Sequence, residues 1–240
     1  MIVLESVDST NSYLLNNKEL LDTQFFTVWA LEQTAGRGRE QRKWYSRKGA
    51  DITFSMVYKT DLGSESIPAI TLYTGLVLFE VLSKYTFGGL SLKWPNDVYF
   101  NKKKLAGILC EAYEDEQRKA IVIGIGINVK KAEFDDEIKD SAISLYDICE
   151  YEADMDYIVF LATSTLKRKL QEYTYPLSEE FCEKWLKAAQ CNTEVIINID
   201  GKDIKAHIEG IDSSGFLNVK DSKGCLHKSY RGEVRYAVDE

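Results

Sequence analysis

Leu90-Ser91-Leu92-Lys93-Trp94-Pro95-Asn96-Asp97-Val98-Tyr99-Phe100-Asn101-Lys102-Lys103-Lys104-Leu105-Ala106-Gly107-Ile108-Leu109-Cys110-Glu111 is the stretch whose reading decides the fold. Leu90 to Trp94 and Val98 to Phe100 are short strand-like runs parted by Pro95-Asn96-Asp97, which is strong turn chemistry. A lysine turn at Lys102 and Lys103 follows, then two longer runs, Leu105 to Tyr113 and Ala120 to Val129. Strand-like runs in such close succession, with no helix between them, predict a mostly antiparallel meander.

Upstream, Ile67 to Leu82 is the longest apolar stretch, with Pro68 where a first helical turn accepts it and apolar residues at helical spacing. It contains Glu80 and is too short to cross a bilayer, so the expectation is a buried helix backing the sheet. Ile2 to Glu5, Phe25 to Leu31 and Asp51 to Tyr58 read as strands, and Asp8-Ser9-Thr10-Asn11 supplies side-chain oxygens that can cap a helix over Ser12 to Asn17.

Downstream, helices are expected at Ser144 to Cys149, Met155 to Tyr173 and Ser178 to Gln190. The texture then changes to short strands at Glu194 to Ile199, Lys205 to Ile211, Phe216 to Lys220, Leu226 to Tyr230 and Val234 to Val238. Asp200-Gly201, Ser214-Gly215 and Lys223-Gly224 separate them, the spacing of a small β-barrel. The fold class is therefore α+β, a mixed sheet backed by helices over residues 1–190 and a small β unit over 191–240, with the boundary at Gln190 to Thr193.

Bulk composition narrows the function. The 240 residues carry a formal net charge of -8, which argues against a general nucleic-acid binder, since such domains present a basic face backed by net positive charge. Five widely spaced cysteines with no Cys-x-x-Cys pair suggest reduced thiols in the cytoplasm, and two late histidines make a His-based or structural zinc site improbable. No signal peptide is visible. Against this acidic background, Glu32-Gln33-Thr34-Ala35-Gly36-Arg37-Gly38-Arg39-Glu40-Gln41-Arg42-Lys43-Trp44 places four cations in seven residues. Gly36 and Gly38 let the backbone take φ > 0 and approach a ligand, and the arginines supply forked donors for carboxylate or phosphate oxygens. The ordinary alternatives are a solvated basic loop or, with Trp44 and Tyr45, a nucleic-acid patch.

Taken in order, Asp8-Ser9-Thr10-Asn11, Gly36-Arg37-Gly38-Arg39, Lys93-Trp94-Pro95-Asn96-Asp97, Lys104 to Glu111 and Gly124-Ile125-Gly126-Ile127-Asn128 resemble the motifs of the biotin protein ligases, and the resemblance spans nearly the whole chain. It implies a class II synthetase-like catalytic domain and an SH3-like C-terminal barrel. It also implies the activity: biotin's carboxylate is joined to the α-phosphate of ATP, with magnesium (Mg2+) present, and the biotinoyl group passes to a lysine of a biotin carboxyl carrier domain of a carboxylase.

The resemblance also distributes roles. Ser9, Thr10, Asn11, Gln33, Gly36, Arg37, Gly38, Arg39, Lys104 and Gly107 would lie around biotin, and Arg39, Arg42, Trp44, Asp97 and Asn128 around the nucleotide. Lys104, Arg39 and Asp97 are the catalytic candidates: two anions must meet, so cations have to offset their repulsion and stabilise charge gathering on the α-phosphate. Gln33, both donor and acceptor, suits a cyclic urea. No protein metal ligands are expected, magnesium being held mainly by the phosphates.

Two departures from the family pattern stand out. Glu40 and Gln41 occupy positions where many members have a neutral or basic residue and a glycine, which bears on loop conformation and ATP affinity. Only eight residues precede Ser9, too few for the winged helix-turn-helix of family repressors, so neither DNA nor a promoter is an expected partner, nor is a membrane. The oligomeric state, a homodimer included, stays open. Lipoate or octanoate transfer on the same fold, and a non-catalytic biotin or nucleotide binder, are the competing readings.

Overall fold

Two sheets that share no strand organise the chain in the computed structural model, which describes residues 1–130, 134–189, 194–199, 201–229, 232 and 234–236. The first contains β1 (Ile2–Leu4), β2 (Thr27–Ala30), β3 (Asp51–Lys59), β4 (Leu90–Lys93), β5 (Asp97–Phe100), β6 (Lys103–Glu114) and β7 (Lys119–Asn128), in the order β1-β2-β3-β7-β6-β5-β4. The expected meander is β4 to β7. It continues through β7 onto β3, and only β1 and β2 pair in parallel, so the sheet is mixed. The turn into β6 sits one residue earlier than expected. Asn101 and Lys102 take left-handed φ values of 45° and 67°, and Lys103 already belongs to the strand.

Side-chain alternation gives the sheet two unlike faces. On one, Ile52, Phe54 and Met56 of β3 and Ile121, Ile123 and Ile125 of β7 are buried against α2 (Ile67–Leu82) and α4 (Met155–Gln171), within the main hydrophobic core. Full burial of a Leu such as Leu72 or Leu78 stabilises the fold by about 1.5–3 kcal/mol. Asp154 caps α4 through its side chain, and Ser144 caps the short α3 (Leu145–Cys149) in a capping box with Asp147. The opposite face is apolar only at one end, where Leu14 of α1 (Thr10–Asn16) meets Val57 and Val122. Toward the other end the same face reads Ser55, Thr53, Gly124 and Gly126, too polar and too small to be covered by packing.

Helix α2 has the expected bounds, Ile67–Leu82. With 3-10 turns at both ends the helical run reaches 22 residues, Ser64–Tyr85, and by length and composition alone is apolar enough to cross a membrane; yet 67% of that window is buried inside the protein. It is a core helix, and its uniform apolarity reflects the sheet on one side and α4 and α5 (Glu179–Ala189) on the others.

The second sheet is antiparallel throughout and is compatible with an SH3-like domain. It comprises β8 (Glu194–Ile199), β9 (Lys202–Ile211), β10 (Leu217–Asp221), β11 (Leu226–Ser229) and β12 (Val234–Tyr236), ordered β11-β10-β9-β8-β12. Its buried Val195, Ile197, Leu217 and Val219 belong to the same core as α2 and Trp185 of α5. Trp94 Nε1 donates to the Gly215 carbonyl at 3.2 Å, stitching the end of β4 to this sheet. The expected boundary at Gln190 to Thr193 and the tail of the last expected strand lie outside the described residues. Because neither sheet borrows a strand from the other, we propose two structural units, 1–190 and 191–240, sharing one core.

Candidate functional site

Between β2 and β3 the arginine-rich segment closes on itself as a hairpin. Trp44 N–H donates to the Gly36 carbonyl at 2.9 Å and Gly38 N–H to the Arg42 carbonyl at 2.7 Å, with one 3-10 turn, Arg39–Gln41, at the tip. The expectation that Gly36 and Gly38 take φ > 0 is not met. Gly38 has φ -111°, and the left-handed residues of the loop are Glu40 (φ 53°) and Gln41 (φ 63°). Gly36 is required for space instead, since a Cβ there would run into the Trp44 carbonyl.

Beneath the hairpin, the glycines of β7 clear the floor. A Cβ on Gly126 would collide with the Trp44 indole, and one on Gly124 with the Asn11 carboxamide, so both side chains lie directly on the strand. Asn11 Oδ1 accepts from Ser55 Oγ at 2.5 Å; Ser55 Oγ is 2.7 Å from Thr10 Oγ1; and Gln33 Oε1 accepts from Thr10 N–H at 2.8 Å. Thr10, Asn11 and Ser55 are buried, Gln33 is half-buried, and the four satisfy one another, which fixes their orientation. Thr10, Asn11 and Gln33 line one end of a cavity of about 380 Å³, whose roof is the hairpin, and Ser55 lies behind them.

Cations gather at the other end. Lys104 Nζ lies 2.8 Å from Asp97 Oδ1, in ionic contact but off the hydrogen-bonding direction, so that this buried carboxylate oxygen accepts no hydrogen bond. Residues 141–143 hold the backbone of Lys104 along one edge of β6: its N–H donates to the Ser141 carbonyl at 2.7 Å, and its carbonyl accepts from Ile143 N–H at 3.0 Å. Lys93, 9% exposed, reaches Tyr99 Oη at 3.2 Å. Arg39, Arg42 and Lys43 come from the hairpin, and Arg39 Nη1 also donates to the Gly232 carbonyl at 3.4 Å, so the C-terminal segment contributes to the wall.

A small deep polar end, an apolar indole and a cationic end suit a bifunctional ligand pair, one partly apolar with a ring to recognise and one polyanionic. The family model of the Biotin/lipoate A/B protein ligase family matches residues 3–128, which contain the hairpin, the Lys93–Asp97 turn and the β7 glycines. The chain belongs to that family. The biotin/lipoate ligase resemblance extends beyond the matched domain: the bifunctional ligase/repressor BirA of Escherichia coli is 31% identical over 97% of this chain and 72% of its own length. A biotin–[acetyl-CoA-carboxylase] ligase of Paracoccus denitrificans is 28% identical over 92% of this chain and 95% of its own. Among solved structures, the biotin protein ligase from Aquifex aeolicus in complex with biotin and ATP superposes with a TM-score of 0.82 at 30% identity, covering 98% of this chain and 97% of that one.

In this family member the fold brings together most of the residues singled out in the sequence. Ser9, Thr10, Asn11, Gln33, Arg37, Gly38, Arg39, Lys104 and Gly107 line the cavity, as do Arg42, Trp44 and Asp97. Gly36 and Asn128 do not. Gly36 closes the base of the hairpin, and Asn128 Nδ2 donates to the carbonyls of Lys104 (3.2 Å) and Ile143 (3.1 Å), behind the wall that carries Lys104.

Sequence reasoning passed over Ser55, Lys93, Tyr99 and Glu111. Ser55 carries no signal: a serine in an alternating strand is unremarked until its neighbours are known. Lys93 and Glu111 stood inside quoted motifs, and the signal available was an ionisable residue at the end of an apolar strand for Lys93 and within one for Glu111.

Proposed function

We propose that this chain is a biotin protein ligase: it activates biotin with ATP to biotinyl-5'-AMP and transfers the biotinoyl group to a lysine of a biotin carboxyl carrier domain. What carries the reading is the meeting of Lys104 and Arg39, from separate elements, at one cavity whose far end is lined by Thr10, Asn11 and Gln33, with Ser55 bonded to Thr10 and Asn11 behind them. That cluster offers donors and acceptors of the kind a cyclic urea needs, and the Trp44 indole offers an apolar surface beside it.

In the first step a biotin carboxylate oxygen bonds to the α-phosphorus and the bond to pyrophosphate breaks. Lys104, Arg39 and Arg42 offset the repulsion between the two anions and stabilise the charge on the phosphoryl oxygens. In the second step the carrier's lysine nitrogen bonds to the acyl carbon, AMP leaves, and the amine gives up a proton. Asp97, whose carboxylate is in ionic contact with Lys104, would orient that amine. Magnesium would arrive on the triphosphate and supply charge neutralisation there.

Biotin-dependent exchange of labelled pyrophosphate into ATP, followed by labelling of a carrier domain, tests the reading. Exchange with lipoate in place of biotin would move the assignment to the lipoate branch of the family, and tight biotin binding without exchange would reduce the protein to a binder.

A further inference from the structure

Glu111 does not itself line the cavity, yet it ties the roof to the floor. Its Oε1 accepts from Arg37 Nη1 at 3.0 Å and its Oε2 from Arg37 Nη2 at 2.7 Å, a bidentate fork; Oε2 also accepts from Asn11 Nδ2 at 2.7 Å. From Asn11 the contacts run to Ser55, then Thr10, then Gln33. Gln33 lies at the root of the same hairpin that carries Arg37, so the contacts form a closed circuit. It leaves the loop at Arg37, crosses β6, α1 and β3, and returns to the loop at Gln33.

We infer that Glu111 is a positioning residue that latches the arginine hairpin over the cavity and, through Asn11, sets the polar cluster at the same time, so that release of the ligand requires the Glu111 to Arg37 fork to open. Two features make this carboxylate more than a surface partner. The fork is bidentate, the geometry in which an arginine and carboxylate lose least to mobility. The amide it holds is 3% exposed, so removing the acceptor leaves a buried N–H short of a partner. The activated ligand, which has to wait for a carrier, is the species whose escape such a latch governs.

The inference rests on the biotin ligase reading, and the test separates the two. In the full chain, Glu111→Gln keeps the shape and one acceptor but removes the charge. Biotin dissociation followed by stopped flow, and the biotin KM in pyrophosphate exchange, should each rise about tenfold, with kcat at saturating biotin changed by less than about threefold. Labelling of a bystander protein added to the reaction should rise as activated biotin leaks. Arg37→Ala should likewise speed biotin dissociation and raise bystander labelling, and in these two readouts the double variant Arg37→Ala/Glu111→Gln should be no worse than the poorer single one, because both break one contact.

Biotin dissociation and bystander labelling unchanged in Glu111→Gln, or single effects that add in the double variant, would overturn the latch while leaving the ligase assignment standing. Failure of the unaltered chain to bind biotin by calorimetry would instead remove the ligase assignment. Should Glu111→Gln not fold by its thermal melt, Arg37→Lys, which keeps the charge but cannot fork, must show the same leakage.

Discussion

Lys104 Nζ and Asp97 Oδ1 stand 2.8 Å apart, one on β6 and the other at the start of β5, although adjacent-strand register pairs Asp97 with Gly107 and Lys104 with Tyr99. A register shift between Val98 and Tyr99 lets the lysine reach along the strand to the carboxylate, and Gly107 leaves the room it crosses. The Trp44 ring centre lies 5.6 Å from the same nitrogen. A cation held between a carboxylate and an indole is fixed before any ligand arrives, which is what electrostatic catalysis requires.

Lys104→Ala should lower biotin adenylation by about 100-fold or more while leaving the thermal melt near that of the unaltered chain, because one strong contact at the reacting centre is lost from a partly exposed site. Pyrophosphate exchange measures it, and unchanged exchange would take Lys104 out of the mechanism.

Asp97→Asn separates the two half-reactions. Supplied with preformed adenylate, the variant should transfer to a carrier domain about 100-fold more slowly, in line with losing the group that receives or orients the amine proton. Equal losses in adenylation and transfer would assign Asp97 to the nucleotide alone.

Gly126→Ala puts a methyl group where the Trp44 indole lies. The indole must move off β7, so ligand affinity should fall about tenfold, the scale of an overpacking penalty. A shifted tryptophan emission spectrum with weaker calorimetric binding is the expected pair of results; wild-type affinity would show that the ring lifts away freely when ligand binds.

Gln41 sits at φ 63°, where a side chain costs about 1–2 kcal/mol that glycine avoids. Part of the gain is offset by the greater freedom of glycine in the unfolded chain, about 0.5–1 kcal/mol. Gln41→Gly should therefore raise the melting temperature by about 1–3 °C for a chain of this size. A lower melting temperature would mean that the Gln41 side chain makes a contact worth more than the backbone cost.

Burial pushes the Cys110 thiol up to about 12, so at pH 8 it stays protonated and enclosed. Cys225 is exposed. Iodoacetamide at pH 8 should label Cys225 and leave Cys110 untouched until denaturant is added, as read by mass spectrometry of the digested protein. Rising pH favours labelling only through thiolate formation, so raising it to 9 should not open Cys110.

Much of the first sheet was legible because its signals are local. Alternation along Asp51–Lys59 and the closely spaced runs from Leu90 onward mark strands wherever they pack, and Pro68 marks a helix start by its own covalent geometry. Nothing local says that β7 turns to pair with β3, since that pairing joins strands some seventy positions apart and is decided by which arrangement buries Ile52, Phe54, Ile123 and Ile125 together. The hairpin shows the same division. Its charge was plain from composition, but which residues would be left-handed was not, because a φ angle at Glu40 and Gln41 is set by hydrogen bonds closing between Gly38 and Arg42 and between Gly36 and Trp44.

For the site, residue type was readable and company was not. Ser9, Thr10, Gln33, Arg39 and Lys104 could be chosen from their order along the chain, whereas Glu111 and Ser55 acquire a role only through neighbours one hundred and about forty-five positions away. Thus the amino-acid order by itself determined the strands and helices, the cationic loop and the family to which the chain belongs, all of which depend on side-chain chemistry and short-range backbone preference. Folding alone decided which face of the sheet stays bare, which glycines make room for Trp44 and Asn11, and which carboxylate grips Arg37, because burial and hydrogen-bond satisfaction are properties of atoms brought together across the chain.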